Sequence, residues 1–190
     1  MSGAAMPPIM RPGAGAGEGR LVAPAAGGIV QRMMRRTFTF LAAALLAGTG
    51  RARAQTGPQP RLPAEPLVIV ARDGTRHEFR VEVAASPEQQ TVGLMFRESV
   101  GPSEGMLFDW GGPRESSMWM RNTLVPLDML FIAADGRVHR IAERTVPHSL
   151  APVDSRGPVR ATLELAGGTA ERLGLRVGDR VLHRLFGTAP

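Results

Sequence analysis

Residues 105–128 read GMLFDWGGPRESSMWMRNTLVPLD. Gly105-Met106-Leu107-Phe108 reads as a short strand and Trp110-Gly111-Gly112-Pro113 as a loop. Ser116–Arg121 reads as a second strand, with Met118 and Met120 on one face and Trp119 on the other, because strand side chains alternate. The next run, Asp128–Ala133, is apolar on both faces, Leu130 and Ile132 against Met129 and Phe131. A strand apolar on both sides is covered on both sides. Extended back to Gly93, the region holds both tryptophans and four of the five methionines that follow Gln55.

Upstream, Leu67–Ala71 is a short β-prone run and Asp73-Gly74 a tight-turn signal. Arg76–Ala84 alternates, with Phe79, Val81 and Val83 inward and Glu78, Arg80 and Glu82 outward, so 67–84 reads as a hairpin. Ser86-Pro87-Glu88-Gln89 is a helix start with a capping box and proline in the first turn. Val92, Met95 and Phe96 follow at helical spacing, with Gly93 inside the predicted helix, where glycine costs about 1 kcal/mol relative to alanine.

Downstream, Asp135-Gly136 turns the chain into Arg137–Glu143, a second hairpin in which the spacing of Val138 and Ile141 predicts a bulge. Residues 144–157 read as a long irregular loop, of the kind that carries function in compact domains. Pro158–Leu165 alternates cleanly: Val159, Ala161, Leu163 and Leu165 inward, Arg160, Thr162 and Glu164 outward. Thr169 caps a short helical turn ending at Gly174, with Leu175 packing back. Gly178-Asp179 leads into a last strand, Arg180–Phe186.

The front of the chain reads differently. Residues 1–32 are rich in Gly, Ala and Pro and read as a disordered extension, or as sequence upstream of a true start at Met33 or Met34. Met33-Met34-Arg35-Arg36, the apolar run Phe38–Ala47 and Ala52-Arg53-Ala54 form the three parts of a signal peptide spanning about 33–54, cleaved after Ala54. The apolar run is too short to span a membrane, and none is expected after cleavage. Arg35-Arg36-Thr37-Phe38 also resembles part of a twin-arginine signal, which leaves both export routes open. Residues 55–66, with four prolines, read as a linker, 67–186 as one β-rich domain and 187–190 as a tail.

Charge follows the same division. All 23 basic residues are arginine, and seven of them precede Gln55 with a single acid, Glu18. From Gln55 onward 16 arginines face 16 acids, so the net charge of +6 comes from the front of the chain and points to no nucleic-acid partner. No cysteine occurs, which excludes disulfides, thiolate metal sites and a thiol nucleophile.

These elements predict a mainly β fold with a minor α component, a compact single-domain β-sandwich or barrel with one flanking helix. Gly93-Leu94-Met95-Phe96-Arg97, Gly105-Met106-Leu107-Phe108, Trp119-Met120-Arg121-Asn122-Thr123, Pro126-Leu127-Asp128, Leu163-Glu164-Leu165 and Gly178-Asp179 stand in this order. The chain thereby resembles the domain of unknown function family 192, also called uncharacterised protein family 0127, over about residues 67–186. The resemblance implies a compact, often exported β-sandwich or barrel with a helix on one side, and no activity.

The candidate binding residues are Arg97, Trp119, Asn122, Asp128 and Glu164, with Arg121 beside them. Arginine and asparagine near carboxylates hold polar or anionic ligands through bidentate hydrogen bonds; the same residues equally form an internal network, with Arg97 pairing Glu164 and Asp128 pinning a loop. Trp110 beside two glycines is a candidate stacking platform. Three readings compete: a periplasmic or secreted monomeric binding or accessory module for a small ligand or an envelope protein, a small hydrolase or lyase using Asp128 and Glu164, and a Cu(I) site through Met118 and Met120. The first takes no catalytic residue, no metal and no cofactor. His148-Ser149 with Asp154 lacks a nucleophile-elbow pattern, and His77, His139 and His183 read as surface residues.

Overall fold

The hairpin at the start of the domain forms where turn chemistry and alternation place it. The computed structural model describes residues 56–188, so the readings of 1–54 lie outside the described residues. β1 (Ala64–Val70) pairs antiparallel with β2 (Arg76–Ala84). α1 (Pro87–Val92) carries the capping box, with the Gln89 N–H donating to Ser86 Oγ at 3.3 Å and the Ser86 N–H donating to Gln89 Oε1 at 3.0 Å. It is shorter than its apolar spacing predicts. Gly93 is its C-cap at φ 50° and ψ −131°, a conformation that L side chains avoid, and a Cβ there would lie 2.9 Å from the Phe108 ring. The Phe108 ring packs against this glycine.

The quoted stretch is one long strand, β3 (Glu104–Met118), and not two strands around a loop. It runs parallel to β2 and antiparallel to β6 (Val153–Ala166). The Trp110–Pro113 segment is absorbed as a bulge, with register shifts between Asp109 and Arg114 and between Glu115 and Ser117. Trp119 and Met120 lie just beyond the strand. β4 (Leu127–Ile132) is buried throughout and pairs with β6 and with β5 (Val138–Thr145), whose pairing skips a residue between Val138 and Arg140, where the spacing predicts a bulge. Because β5 runs to Thr145 and β6 begins at Val153, the long loop shrinks to residues 146–152.

After β6 come α2 (Thr169–Leu173), β7 (Arg180–Leu182) and a 3₁₀ turn, Arg184–Phe186, in place of the end of a long last strand. The sheet order is β5-β4-β6-β3-β2-β1-β7. It curls so that the turn before β5 touches β7 at one point: Arg137 bridges Arg180, and the Val181 N–H donates to the Gly136 carbonyl at 2.7 Å. The fold is a compact, mainly β half-barrel with two short helices, α2 lying where the helical turn before Gly174 is expected.

Alternation divides its apolar residues between two layers. Leu107, Leu130, Ile132, Leu163, Leu165 and Val181 belong to the core inside the curl. Met106, Phe108, Met118, Met120, Met129 and Phe131 form a second cluster with Leu94 on the opposite face. β6 is therefore covered on both sides, and Thr162 and Glu164, which alternation alone places outward, are 0% and 4% exposed.

The proline-rich 56–66 stretch is docked and not a free linker. The Gln59 side chain donates to the carbonyls of Gln89 and Gly93, and the Leu62 N–H donates to Glu82 Oε2 at 2.7 Å. His183 is buried, its Nε2 3.1 Å from Glu65 Oε2, and is no surface residue.

Asp128 ties three elements together. Its Oδ1 accepts the N–H groups of Arg144 (2.8 Å) and Gly168 (2.9 Å), and its Oδ2 accepts that of Ala170 (2.7 Å). Gly168, the N-cap of α2, has no side chain to offer, so Asp128 from β4 serves instead of the expected Thr169. Asp128→Ala removes three charge-assisted bonds from a fully buried site and should destabilise the domain by about 3–4 kcal/mol in urea denaturation; a loss under about 1 kcal/mol contradicts the pinning role.

Candidate functional site

The second apolar layer is not closed. Between α1 with its following turn and the bulged half of β3 lies a cleft of about 490 Å³. Its walls are Gln90, Thr91 and Met95 on one side and Trp110, Arg114, Ser116, Met118 and Trp119 on the other, with Phe108 and Glu164 also lining it. Local sequence builds these walls. The capped α1 and the sharp turn at Gly93 set one side, and the Gln90 side chain fastens it to β3 by donating to the Asp109 carbonyl at 2.6 Å. The bulge swings Trp110 so that its ring stacks on Phe108 (centroids 5.7 Å apart) and its N–H donates to Thr162 Oγ1 at 3.1 Å.

Glu164 is the unusual member. It stands on the central strand between two methionines, paired across the ladder with Met106 on β3 and Met129 on β4. It is 4% exposed, and among the described residues no side-chain or backbone donor hydrogen-bonds its carboxyl. Burial in these apolar surroundings, with no compensating cation, pushes the carboxyl up to about 8. Near neutral pH it is held mostly as the neutral acid.

The other candidates do not join it in one network. Arg97 pairs with Glu82 at 3.0 Å, not with Glu164. Glu82 is itself buried at 6% where alternation predicts exposure, and it also accepts the Leu62 N–H. The cavity beside Arg97 is about 10 Å³, roughly the space of one water and too small for a ligand. Asn122 takes a left-handed conformation (φ 55°), accepts the Phe96 N–H through its carbonyl at 2.8 Å and points its amide at Met95 Sδ, 3.9 Å away. It shapes the turn behind the cleft wall. Asp128 is occupied by backbone amides. Trp119 lines the mouth, 44% exposed, with the Arg121 guanidinium over its ring at 5.4 Å. Of the five candidates, only Trp119 and Glu164 share the cleft.

The acid/base reading loses its geometry. Asp128 pairs with Leu165 and Glu164 with Met129, so the two carboxylates project from opposite faces of the sheet and cannot form an acid/base pair. The thioethers of Met95, Met106 and Met120 lie near internal donors from Asn122, Gln59 and Thr145, and no group of three or more His, Asp or Glu able to hold a metal occurs among the described residues. His148 is exposed in the short loop, and among the described residues no hydrogen bond joins it to Ser149 or Asp154.

Cleft members not among the candidate binding residues include Met95, Phe108, Arg114 and Ser116. The double glycine after Trp110 is the signal that hints at them, since it marks the bulge; read as a loop, it concealed the wall.

Comparison with known proteins places this geometry. The model of the DUF192 family, described as "Uncharacterized ACR", matches residues 68–183. A crystal structure of a proposed transcription regulator from Sinorhizobium meliloti 1021 is 46% identical with a TM-score of 0.65, and the similarity covers 67% of this chain and 98% of that one. A protein of unknown function from Novosphingobium aromaticivorans DSM 12444 is 41% identical with a TM-score of 0.63, over 69% of this chain and 94% of its own. No curated protein matches the chain.

The position of Glu164 makes stability depend on pH. Its folded pKa of about 8 lies above the ordinary value of 4.5, so between these limits the folded state holds a proton that the unfolded chain has lost. The associated stability is fully present below about pH 4.5 and is lost as pH rises to 8, at about 1.4 kcal/mol per pKa unit. Glu164→Gln should therefore gain stability relative to the native chain between pH 5 and pH 8, by several kcal/mol in urea denaturation. Parallel pH profiles for the two proteins would show that the carboxyl is not isolated.

Proposed function

The chain belongs to the DUF192 family, and from that premise, which brings a fold without an activity, we propose that it is a binding module whose small polar ligand sits in the cleft over Glu164. One observation carries this reading: a buried carboxyl without a hydrogen-bond partner among the described residues lines a cleft large enough for a small molecule. Elsewhere in the domain buried carboxylates are matched, Asp128 by three amides, Glu82 by Arg97 and Leu62, Asp179 by the N–H groups of Arg72 and Arg176. A ligand would complete the one carboxylate left open among the buried acids of the described residues.

An anionic ligand has less support than a neutral or positive one. Arg97 is paired away from the cleft, and the one cation on the wall, Arg114, rests over the Trp110 ring at 4.7 Å. The Sinorhizobium protein is named a transcription regulator; for this chain, contact with nucleic acid draws no support from a domain whose 16 arginines are balanced by 16 acids.

The chain has only two tryptophans, Trp110 and Trp119, and both line the cleft, so their indole N–H resonances report its occupancy. In a screen of small polar compounds by ¹⁵N NMR, binders should shift both signals. Thr91→Trp, an exposed change on the α1 wall, should block the effect without unfolding the domain. Binders that leave both indoles unmoved place the site elsewhere.

We further propose that the domain works outside the cytoplasm, on the strength of the basic, apolar and small-residue segments of 33–54. Protein recovered from the periplasm should begin at Gln55 by N-terminal sequencing; an intact N-terminus in the cytoplasmic fraction rejects export.

A further inference from the structure

Resting on the cleft as binding site, we propose that its ligand is an organic cation, an alkylated ammonium whose positive charge sits against the Glu164 carboxylate among thioether and aromatic side chains. The argument begins with what surrounds the carboxyl. Its ladder neighbours are Met106 and Met129, and Met95, Met118 and Phe108 line the space with it. These side chains are polarisable and offer no hydrogen-bond donor to a carboxylate, and the Ser116 hydroxyl, buried on the same wall, makes no bond to Glu164. It suits the methyl and methylene groups that surround an alkylammonium charge, and it penalises a hydrated anion.

No protein cation is placed to fill the role. On β3, Asp109 is paired with Arg160 of β6, Arg114 lies over Trp110, and Glu115 is exposed. On β4, Asp128 faces the other side of the sheet, and on α1 the one charged residue, Glu88, is exposed and acidic. The carboxyl is thus left to a proton, for which a ligand cation can be exchanged. A bare metal ion is a poor candidate, because one carboxylate with thioethers already turned toward internal donors makes a weak donor set. The volume of about 490 Å³ also suits a molecule and not an ion.

The mouth reinforces the point. Both tryptophan rings already carry a guanidinium, Arg114 over Trp110 at 4.7 Å and Arg121 over Trp119 at 5.4 Å. These rings attract cations, and Arg114 competes with an incoming one for the Trp110 face as well as repelling it. Removing Arg114 should therefore tighten binding.

The experiment titrates the protein with choline and with its neutral isostere 3,3-dimethylbutan-1-ol, following the two indole signals from pH 6 to pH 9. Choline should bind, with affinity rising about tenfold per pH unit up to about pH 8 and levelling above it, because the cation displaces the Glu164 proton. Glu164→Gln should lose most of the choline affinity and all of its pH dependence, and Arg114→Ala should gain several-fold. If the alcohol binds as well as choline and neither responds to pH, the cleft is a binding site but the cation assignment is overturned. If choline, the alcohol and the screened polar compounds all leave the indole signals unmoved, the cleft reading falls with it.

Discussion

The structure depends on one constraint: β6 is an interior strand, between β4 and β3, of a sheet packed on both faces. Its inner side chains, Ala161, Leu163 and Leu165, complete the core within the curl, while Thr162 and Glu164 on the other face lie under a second apolar layer of methionines and phenylalanines. Burying both faces of a central strand removes a large apolar area from water, which stabilises a domain of this size with no disulfide. It also commits whatever polar group that strand carries on its second face to an apolar site.

Polar groups elsewhere are handled by making them structural. Asp128 ends the search of three amides for an acceptor, at the close of β5 and the start of α2. Glu82 gathers the Arg97 guanidinium and the Leu62 N–H, and so holds the segment preceding β1 and the turn after α1 onto the sheet. Asp179 closes the turn into β7 by accepting from Arg72 and Arg176. These acids stand beside ready donors. Glu164 does not, and its burial without a donor beside an open cleft is the observation on which the proposed binding site rests. A group held away from its preferred protonation state in an open cleft is poised to respond to a ligand.

Much of this fold was legible in the chain. The Asp73-Gly74 turn, the capping box at Ser86, the bulge near Val138 and the stop at Gly174 are local features, and each formed because its chemistry lies within a few residues. Elements set by distant partners were misread. Gly93 looked like a weak helix interior because nothing local reveals the Phe108 ring beside it. Trp110–Pro113 looked like a loop because a bulge within a paired strand has the same residues as a turn. Glu82 and Glu164 looked exposed because alternation tells which residues share a face and not what covers that face.

The sequence by itself determined the β class, most strand positions, the capping box at Ser86, the stop at Gly174 and the short list containing Glu164 and Trp119. Those follow from periodicity and short-range hydrogen bonding, which any window of the chain displays. Only the tertiary structure decided which polar residues are matched. It paired Arg97 with Glu82, turned Asp128 inward to backbone amides, set Asn122 into a left-handed turn, and left Glu164 without a donor beside Trp110 and Trp119. Whether a buried charge has a partner depends on residues brought together from β2, β3, β4 and β6, and that proximity is a property of the folded sheet.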